Sequence, residues 1–346
     1  MTNPLATVVI SDAMHAAHTR RASDLHLQPA LPPILRVDGA LQPWDGPRLS
    51  CEDLDALTHD FLNEEDRGVL RCRGDVTTTI SSSGNPIRVH AHRVAGGTAF
   101  ALRFLQRDAP TFADLGLPSV IAELAYHPHG LMVFAGSTGS GKSTTLAALI
   151  ELMNREMRRK IVTIEDPIEY TIPSKDSVIV QRQVGRDVPT FADAVVGTLR
   201  SDPDVIVIGE MRDGATVRAA IGAAETGHLV LGTLHSSGAA QSIDRLIDGF
   251  GAQDDQAARG RLAQVLLGVI TQRLIVRACG TGRRPATEIL VVTDAVRHMI
   301  RDGRQHQLST VMTTGRQFGM QTLEMHVAEL LASGEIDAAA AESALR

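Results

Sequence analysis

Several features that mark specialised protein classes are scarce in this 346-residue sequence. Its three cysteines, Cys51, Cys72 and Cys279, lack the spacing of a zinc site, and an odd, scattered set is typical of a reducing compartment. The apolar runs are far shorter than the roughly 18 residues that a membrane-spanning helix needs. No basic segment precedes an apolar one at the amino terminus, so we expect no signal peptide and a cytoplasmic location.

An excess of positive charge is also missing. Lysine and arginine number 34 against 40 aspartates and glutamates, which gives a formal net charge of −6. This balance argues against a surface that coats nucleic acid, although it is compatible with a local basic groove. We therefore expect no nucleic-acid partner. The hydrophobic fraction of 43% is enough to fill the cores of two domains.

The segment from Gly136 to Ser143 carries the strongest chemical signal, because it matches the pattern GxxxxGK[ST] between a buried-strand pattern and a helical one. Its glycines allow backbone N–H groups to surround phosphate oxygens, and a helix amino terminus favours anions. In this pattern Lys142 reaches the β- and γ-phosphates of a nucleoside triphosphate such as ATP, while the Ser143 hydroxyl ligates Mg²⁺. The predicted nucleotide-binding residues are Gly136, Ser137, Thr138, Gly139, Ser140, Gly141, Lys142, Ser143 and Thr144.

The hydrophobic pattern predicts two α/β domains. Residues 1–104 combine short strand and helix patterns, and the polar stretch 105–111, which contains a proline, is expected to be a linker. Over 112–346 strand and helix patterns alternate, which indicates a mostly parallel sheet with helices on both faces. Its last portion, about 252–346, is expected to be helical. The apolar stripe that favours this helix consists of Leu262, Val265, Leu266, Val269, Ile270 and Leu274.

Acidic and imidazole side chains end three of the predicted strands. Glu165, Glu210 and His235 each stand at the end of an apolar run. Ligands of parallel α/β sheets bind beyond the carboxyl ends of the strands, so we expect these residues to face the nucleotide. Such carboxylates hold Mg²⁺ or orient the attacking water. His228 stands before the third run, and a lone histidine is more often a packing or surface residue.

Together these segments resemble the secretion-type hexameric ATPases, and within them the PilT family of type IV pilus retraction ATPases. Four motifs carry the likeness, namely the glycine-rich loop, the acidic segment 163–169, the Walker B segment 202–213 and the histidine segment 225–235. Segments 22–39 and 295–301 also resemble the family, and the latter matches its short retraction motif. The resemblance covers nearly the whole chain. It implies an α/β fold with a PAS-like N-terminal domain and a RecA-like P-loop ATPase domain.

The resemblance also implies roles for individual residues. Glu210 matches the Walker B glutamate, which activates water or holds Mg²⁺ together with Ser143, and Glu165 matches the acid of the segment 163–169. His228 and His235 match the two histidines of the family. Three arginines resemble those of the family, some of which reach the nucleotide from the N-terminal domain or from a neighbouring copy and offset charge on the transferred phosphoryl group. The implied catalytic set is Glu210, Glu165, His235, His228, Arg88, Arg103 and Arg200.

One segment departs from the family pattern Arg-x-Arg-Val-Asn. Pro86 stands where the first arginine is expected, and His90 replaces the asparagine. The departure affects how the contacts with phosphate are divided between the domains. Arg93 is a candidate to replace the missing first arginine.

The implied function is that of a homohexameric, ATP-hydrolysing motor that powers pilus retraction. Domain closure on the nucleotide would move an inner-membrane platform protein of the pilus assembly machinery, which places the motor at the cytoplasmic side of the inner membrane. The alternatives are an accessory retraction paralogue, an extension or type II secretion ATPase, and a nucleic-acid-translocating ATPase. A nucleotide-gated binding module with negligible turnover is a further class. Extension-type chains usually carry a four-cysteine zinc module, and its absence here favours retraction.

Overall fold

The computed structural model describes residues 4–20, 22–37, 39–82, 85–104, 109–251 and 255–345. The chain forms two compact units, Met1–Arg107 and Asp108–Arg346. Each unit combines one sheet with several helices, which confirms the mixed α/β class expected from the sequence. Of the expected linker 105–111, residues 105–108 lie outside the described residues.

The first unit contains one antiparallel sheet with strand order β3-β2-β1-β6-β5-β4. Its elements are α1 (Pro4–Thr19), β1 (Asp24–Leu27), β2 (Ile34–Val37), β3 (Ala40–Pro43), α2 (Cys51–Phe61), α3 (Glu64–Arg73), β4 (Asp75–Ser82), β5 (Asn85–Val94) and β6 (Gly97–Phe104).

The helices of this unit share one core with one face of its sheet. Strand β5 shows the alternation that produces the two faces, because Ile87, Val89 and Ala91 are buried in the helix-covered core. Arg88 and His90 alternate with them and therefore belong to the opposite face. Arg88, His90 and His92 of β5 are thus collected on the face that the helices of the unit do not share.

The second unit contains a larger sheet with helices on both faces. Its elements are α4 (Phe112–Leu115), α5 (Ser119–Ala125), β7 (Gly130–Ala135), α6 (Lys142–Glu156), β8 (Lys160–Glu165), β9 (Val178–Gln183), α7 (Phe191–Thr198), β10 (Val205–Ile208), α8 (Gly214–Glu225), β11 (Leu229–Leu234), α9 (Ala239–Asp248), α10 (Asp255–Val265), β12 (Leu266–Val276), β13 (Arg283–Val291), α11 (Asp294–Arg301), α12 (Leu308–Thr314), α13 (Leu323–Ala332) and α14 (Ala338–Leu345).

The strand order of the second sheet is β13-β12-β7-β11-β10-β8-β9. All neighbouring strands from β12 to β9 are parallel, and only β13 is antiparallel to its neighbour. Every residue of β7, β10 and β11 is buried, because one hydrophobic core fills each side of the sheet. The mostly parallel, doubly covered sheet expected from the sequence is confirmed, and the carboxyl ends of these strands meet at one edge.

The expectation of a helical portion over about 252–346 is wrong for two segments, since β12 and β13 are strands. The stripe from Leu262 to Leu274 starts in α10 and continues into β12. Strand β12 lies between β7 and β13, so its residues are buried on both faces: Val269 belongs to one core and Ile270 to the other. Such a strand is apolar almost continuously and satisfies a helical spacing by chance. Helices predominate only after β13.

Candidate nucleotide-binding site

The glycine-rich loop joins the end of β7 to the start of α6. Gly136, Gly139 and Gly141 have φ angles of 148°, 79° and 93°, in the region that favours glycine. A Cβ atom on Gly136 would lie 2.5 Å from Ser140 Oγ and 2.6 Å from the carbonyl oxygen of Gln272. Residue 136 must therefore be glycine, and the loop turns tightly into the helix amino terminus, where anions are stabilised.

Lys142 lies across this loop. Its Nζ donates hydrogen bonds to the carbonyl oxygens of Gly136, at 2.7 Å, and Ser137, at 2.9 Å. Burial lowers the pKa of Lys142 from its usual value, while the nearby carboxylates of Glu210 and Glu169 oppose this effect. The cation thus sits between the loop and two acids, which is where a phosphate chain on the loop would meet it.

Gln272 of β12 fastens the loop to the sheet and was not identified from the sequence. The side chain is 3% exposed. Its Oε1 accepts a hydrogen bond from Thr145 Oγ1 at 2.8 Å, and its Nε2 donates one to the carbonyl oxygen of Ser140 at 2.9 Å. A buried amide with both ends bonded holds the loop and the first turn of α6 in one position. The available signal was a run of three polar residues, Thr271, Gln272 and Arg273, inside an apolar run.

Glu210 and His235 come together because β10 and β11 are neighbours. His235 Nε2 lies 3.1 Å from Glu210 Oε1, and an Arg212 guanidinium nitrogen lies 2.6 Å from Glu210 Oε2. The turn after β10 is fixed to β11, since Thr233 Oγ1 donates to the carbonyl oxygen of Gly209. The two residues lie at the loop edge of the sheet, as the sequence predicted, and the structure in addition brings them into contact with each other.

Glu165 ends β8 at the same edge. Its Oε1 accepts hydrogen bonds from Thr163 Oγ1 at 2.6 Å and from Gln181 Nε2 at 3.1 Å. Burial is the main cause that raises the pKa of Glu165, and the charge of Glu169 raises it further, while the hydrogen bonds lower it. A Cβ on Gly209 would approach Glu165 Cα to 3.3 Å, so the ends of β8 and β10 are in close contact.

His228 and Arg200 lie at the other edge of this sheet. His228 precedes β11, and its Nδ1 is 3.0 Å from the carbonyl oxygen of Ala223. Arg200 belongs to the 3₁₀ turn Leu199–Ser201, which precedes β10. The six residues of β11 span about 20 Å at the usual rise of a strand. Within one chain, therefore, neither side chain joins Lys142 and Glu210.

Arg88 and Arg103 lie in the first unit, in one row of charges across its sheet. They are paired across β5 and β6, and Arg103 is paired with Asp24 of β1. Arg103 Nε donates to Asp24 Oδ1 at 2.9 Å, and Arg36 Nε lies 3.9 Å from Asp24 Oδ2. This row contains three arginines and one mostly buried aspartate, so positive charge predominates along the row.

Residues around the start of α6 complete the surroundings of the loop. Ser143 is exposed in the first turn of α6, and Thr144 Oγ1 lies 3.1 Å from the hydroxyl of Tyr170. A cavity of about 460 Å³ borders the loop on the side of β12. Its lining includes Leu274 of β12 and Ala344 of α14. This volume is in the range of small-molecule sites.

No cluster of three or more histidine, cysteine, aspartate or glutamate side chains arranged to hold a metal ion occurs in the part of the chain that the structure describes. The predicted Mg²⁺ ligands Ser143 and Glu210 are instead of the kind that completes its coordination with phosphate oxygens and water. In the same part of the chain, no helix combines the length and the apolar character required to cross a bilayer.

A glycine-rich loop at a helix amino terminus, a lysine lying across it and strand-end carboxylates at the same sheet edge define a P-loop nucleotide-binding protein. Comparison with known proteins gives a narrower class. Residues 2–342 match the family model described as "Type II/IV secretion system protein". The chain belongs to this family.

Individual relatives of the family align over almost the full length. The type IV pilus retractation ATPase PilT of Pseudomonas aeruginosa is 40% identical over 328 residues, which cover 94% of this chain and 95% of that protein. The type IV pilus ATPase PilU of the same organism is 36% identical and covers 91% and 82%. The crystal structure of the pilus retraction motor PilT with bound ADP superposes with a TM-score of 0.89 at 39% identity, covering 96% of both chains.

Proposed function

We propose that the protein is an Mg²⁺-dependent ATPase that powers the retraction of type IV pili. The observation that supports it best is the placement of Lys142, Glu210 and His235 at the carboxyl edge of one parallel sheet. The near full-length similarity to PilT adds the biological role. Positive charge at the loop and carboxylates beside it are what phosphoryl transfer to water requires.

Four residues at this edge, Lys142, Ser143, Glu210 and His235, have distinct roles in the proposed reaction. The loop backbone and Lys142 bind the β- and γ-phosphates, and Ser143 and Glu210 would hold Mg²⁺, which neutralises charge on the transferred group. Glu210 orients or deprotonates the attacking water. His235 contacts Glu210 Oε1 and fixes the direction of that carboxylate. Glu165 lies beside this pair at the end of β8.

The remaining predicted residues are proposed to act in a ring of six copies. His228 and Arg200 lie far from the loop of their own chain, so any role in hydrolysis has to be on a neighbouring copy. Arg88 and Arg103 of the first unit are proposed to supply positive charge that offsets the charge on the phosphoryl group. The linker 105–111 between the proposed domains 1–104 and 112–346 would let each ring member change shape during turnover, and the ring would act on the membrane platform protein.

The similarity to PilU supports a second candidate function, that of an accessory retraction ATPase. Both candidates hydrolyse ATP in this proposal, so hydrolysis by purified protein with Mg²⁺ and with EDTA tests the activity alone. Deletion of the gene separates the roles. A principal retraction motor leaves cells with excess pili and no twitching, whereas loss of an accessory motor leaves retraction largely intact. Cells without pili would instead indicate an extension ATPase, and absence of Mg²⁺-dependent hydrolysis would refute the motor altogether.

A further inference from the structure

Helix α9 begins directly after the loop that carries His235, and its amino terminus has no cap of its own. The N-cap residue is Gly238, which has no side chain that could accept a hydrogen bond from the first turn. Glu288 of β13 fills this place. Its Oε1 accepts a hydrogen bond from the backbone N–H of Ala239 at 2.7 Å. A carboxylate from another strand therefore replaces the usual N-cap side chain and faces the positive end of the helix.

The position of Glu288 is set by the sheet rather than by the helix. It is paired with Thr271 across β12 and β13. Burial is the main cause that raises the pKa of Glu288, and the nearby Glu324 raises it further, while Ala239 N–H, Thr271 and Arg273 favour the charged form. A half-buried carboxyl in such surroundings costs stability unless it gains a specific partner, and the partner here is the α9 amino terminus.

The segment 235–238 between β11 and α9 depends on α9 for its shape. Arg245 of α9 donates a hydrogen bond to the carbonyl oxygen of His235 at 2.7 Å. Ser242 Oγ, also of α9, donates to the carbonyl oxygen of Gly238 at 2.8 Å and lies 2.7 Å from Ser236 Oγ. A displacement of α9 would thus be transmitted to His235, whose imidazole contacts Glu210.

We propose that Glu288 is a positioning residue of the ATPase centre, which holds the amino end of α9 and thereby keeps His235 against Glu210. The proposal rests on the ATPase activity proposed above. Strand β13 continues directly into α11, the segment whose sequence resembles the retraction motif. Glu288 therefore links the strand that leads to α11 with the pair formed by Glu210 and His235. The link consists of the hydrogen bond to Ala239 and of helix α9.

The experiment measures ATP turnover and nucleotide binding of the full chain with substitutions at positions 288 and 238. Glu288→Ala removes the acceptor and should lower kcat about tenfold to a hundredfold, because sub-ångström to ångström displacements of a catalytic pair have effects of this size. Its affinity for ADP should stay within about twofold, since Lys142 and the loop are untouched. Glu288→Gln keeps an acceptor oxygen and should retain most of the activity. The exposed Glu123→Gln, whose charge is not among those acting on Glu288, serves as the control.

A rescue variant separates positioning from direct chemistry. Gly238 has an extended backbone, φ −165°, and a Cβ there would meet only Glu288 Oε1, at 3.6 Å. Glu288→Ala combined with Gly238→Ser supplies a local N-cap and should restore at least half of the lost turnover. Failure of this rescue would mean that Glu288 acts on the reaction by another route and would refute the positioning role.

Melting temperatures show whether each variant folds, and Glu288→Leu, which keeps the volume but not the acceptor, replaces Glu288→Ala if the latter unfolds. Unchanged kcat in either variant overturns the role of Glu288 while leaving the proposed function intact. Absence of ATP hydrolysis in the unmodified protein overturns the proposed function itself, so the two failures are distinguishable.

Discussion

The two edges of the second sheet carry residues drawn from the same sequence motifs, yet they differ in chemistry. Glu165 ends its strand, Glu210 and His235 follow theirs, and all three lie at the carboxyl edge with Lys142. His228 precedes β11 and lies at the amino edge. The segment 225–235 therefore contributes one histidine to each edge, although both belong to one short motif.

The difference shows that closeness in the sequence is a poor guide to closeness at a site built on strands. A strand separates its two ends by its whole length, whereas parallel neighbours bring their carboxyl ends together from distant parts of the chain. In the proposed ring, residues at the amino edge would share in hydrolysis only through another copy of the chain. The following experiments test this division between the edges.

Removing the loop lysine should have the largest effect. Lys142→Ala should weaken ATP and ADP binding roughly 100-fold, because a charge-assisted contact with the phosphates is lost. Lys160→Ala is the matched control, since Lys160 starts β8 and contacts the carbonyl oxygen of Ser201 at the amino edge. Equilibrium binding of a fluorescent nucleotide measures both. Equal losses in the two variants would show that the edges do not differ.

Glu210, the proposed catalytic carboxylate, should affect turnover rather than binding. Glu210→Gln should retain nucleotide affinity and lower kcat about 10²- to 10⁴-fold, the range typical of a lost general base. Glu225→Gln is the matched control. Glu225 precedes β11 at the amino edge and pairs with Arg261, so its replacement should leave kcat near normal. Steady-state phosphate release measures both rates. Normal hydrolysis by Glu210→Gln would assign the role of base to another group.

The two histidines provide the sharpest comparison. His235→Ala should lower kcat about tenfold at every protein concentration, because it frees a carboxylate within the same chain. His228→Ala should have no effect in dilute protein and should lower turnover only at concentrations where rings assemble. The rate of ATP hydrolysis is measured for both variants as a function of protein concentration, and ring assembly is followed by light scattering. A concentration-independent loss in His228→Ala would contradict the placement of His228 outside its own site.

Glu165 should have the smallest effect, on stability rather than on binding. Its pKa is raised on folding, so the protonated form is favoured in the folded state, and the free energy of unfolding falls as the pH rises from the ordinary pKa through the raised pKa. The penalty is absent below the ordinary pKa of the group and complete above the raised one. Glu165→Gln should therefore raise Tm by about 1–3 °C at pH 8 and by less near pH 4. The exposed Glu123→Gln is the control, and a lower Tm of Glu165→Gln at pH 8 would show that its charge stabilises the fold.

Prediction from the sequence succeeded where a local pattern fixes local geometry. The loop 136–141 was identified because its glycines, its lysine and the flanking apolar runs are contiguous, and the strand-end positions of Glu165 and Glu210 followed from the same reasoning. It failed at β12, because a strand buried on both faces has no alternation to distinguish it from a buried helix. Gln272 was missed for the same reason, since its function depends on β12 lying next to β7.

The sequence by itself determined the chemistry of this protein: a loop for phosphate, a cation within it and acids after strands, all defined by spacing along a few residues. The tertiary structure alone decided which of the candidate residues meet, because strand order and direction depend on contacts between segments far apart in the chain. Those contacts bring Glu210 to His235 and Gln272 to the loop. The same contacts carry His228 to the opposite edge of the sheet and bring Glu288 to the start of α9, where no sequence pattern marks it.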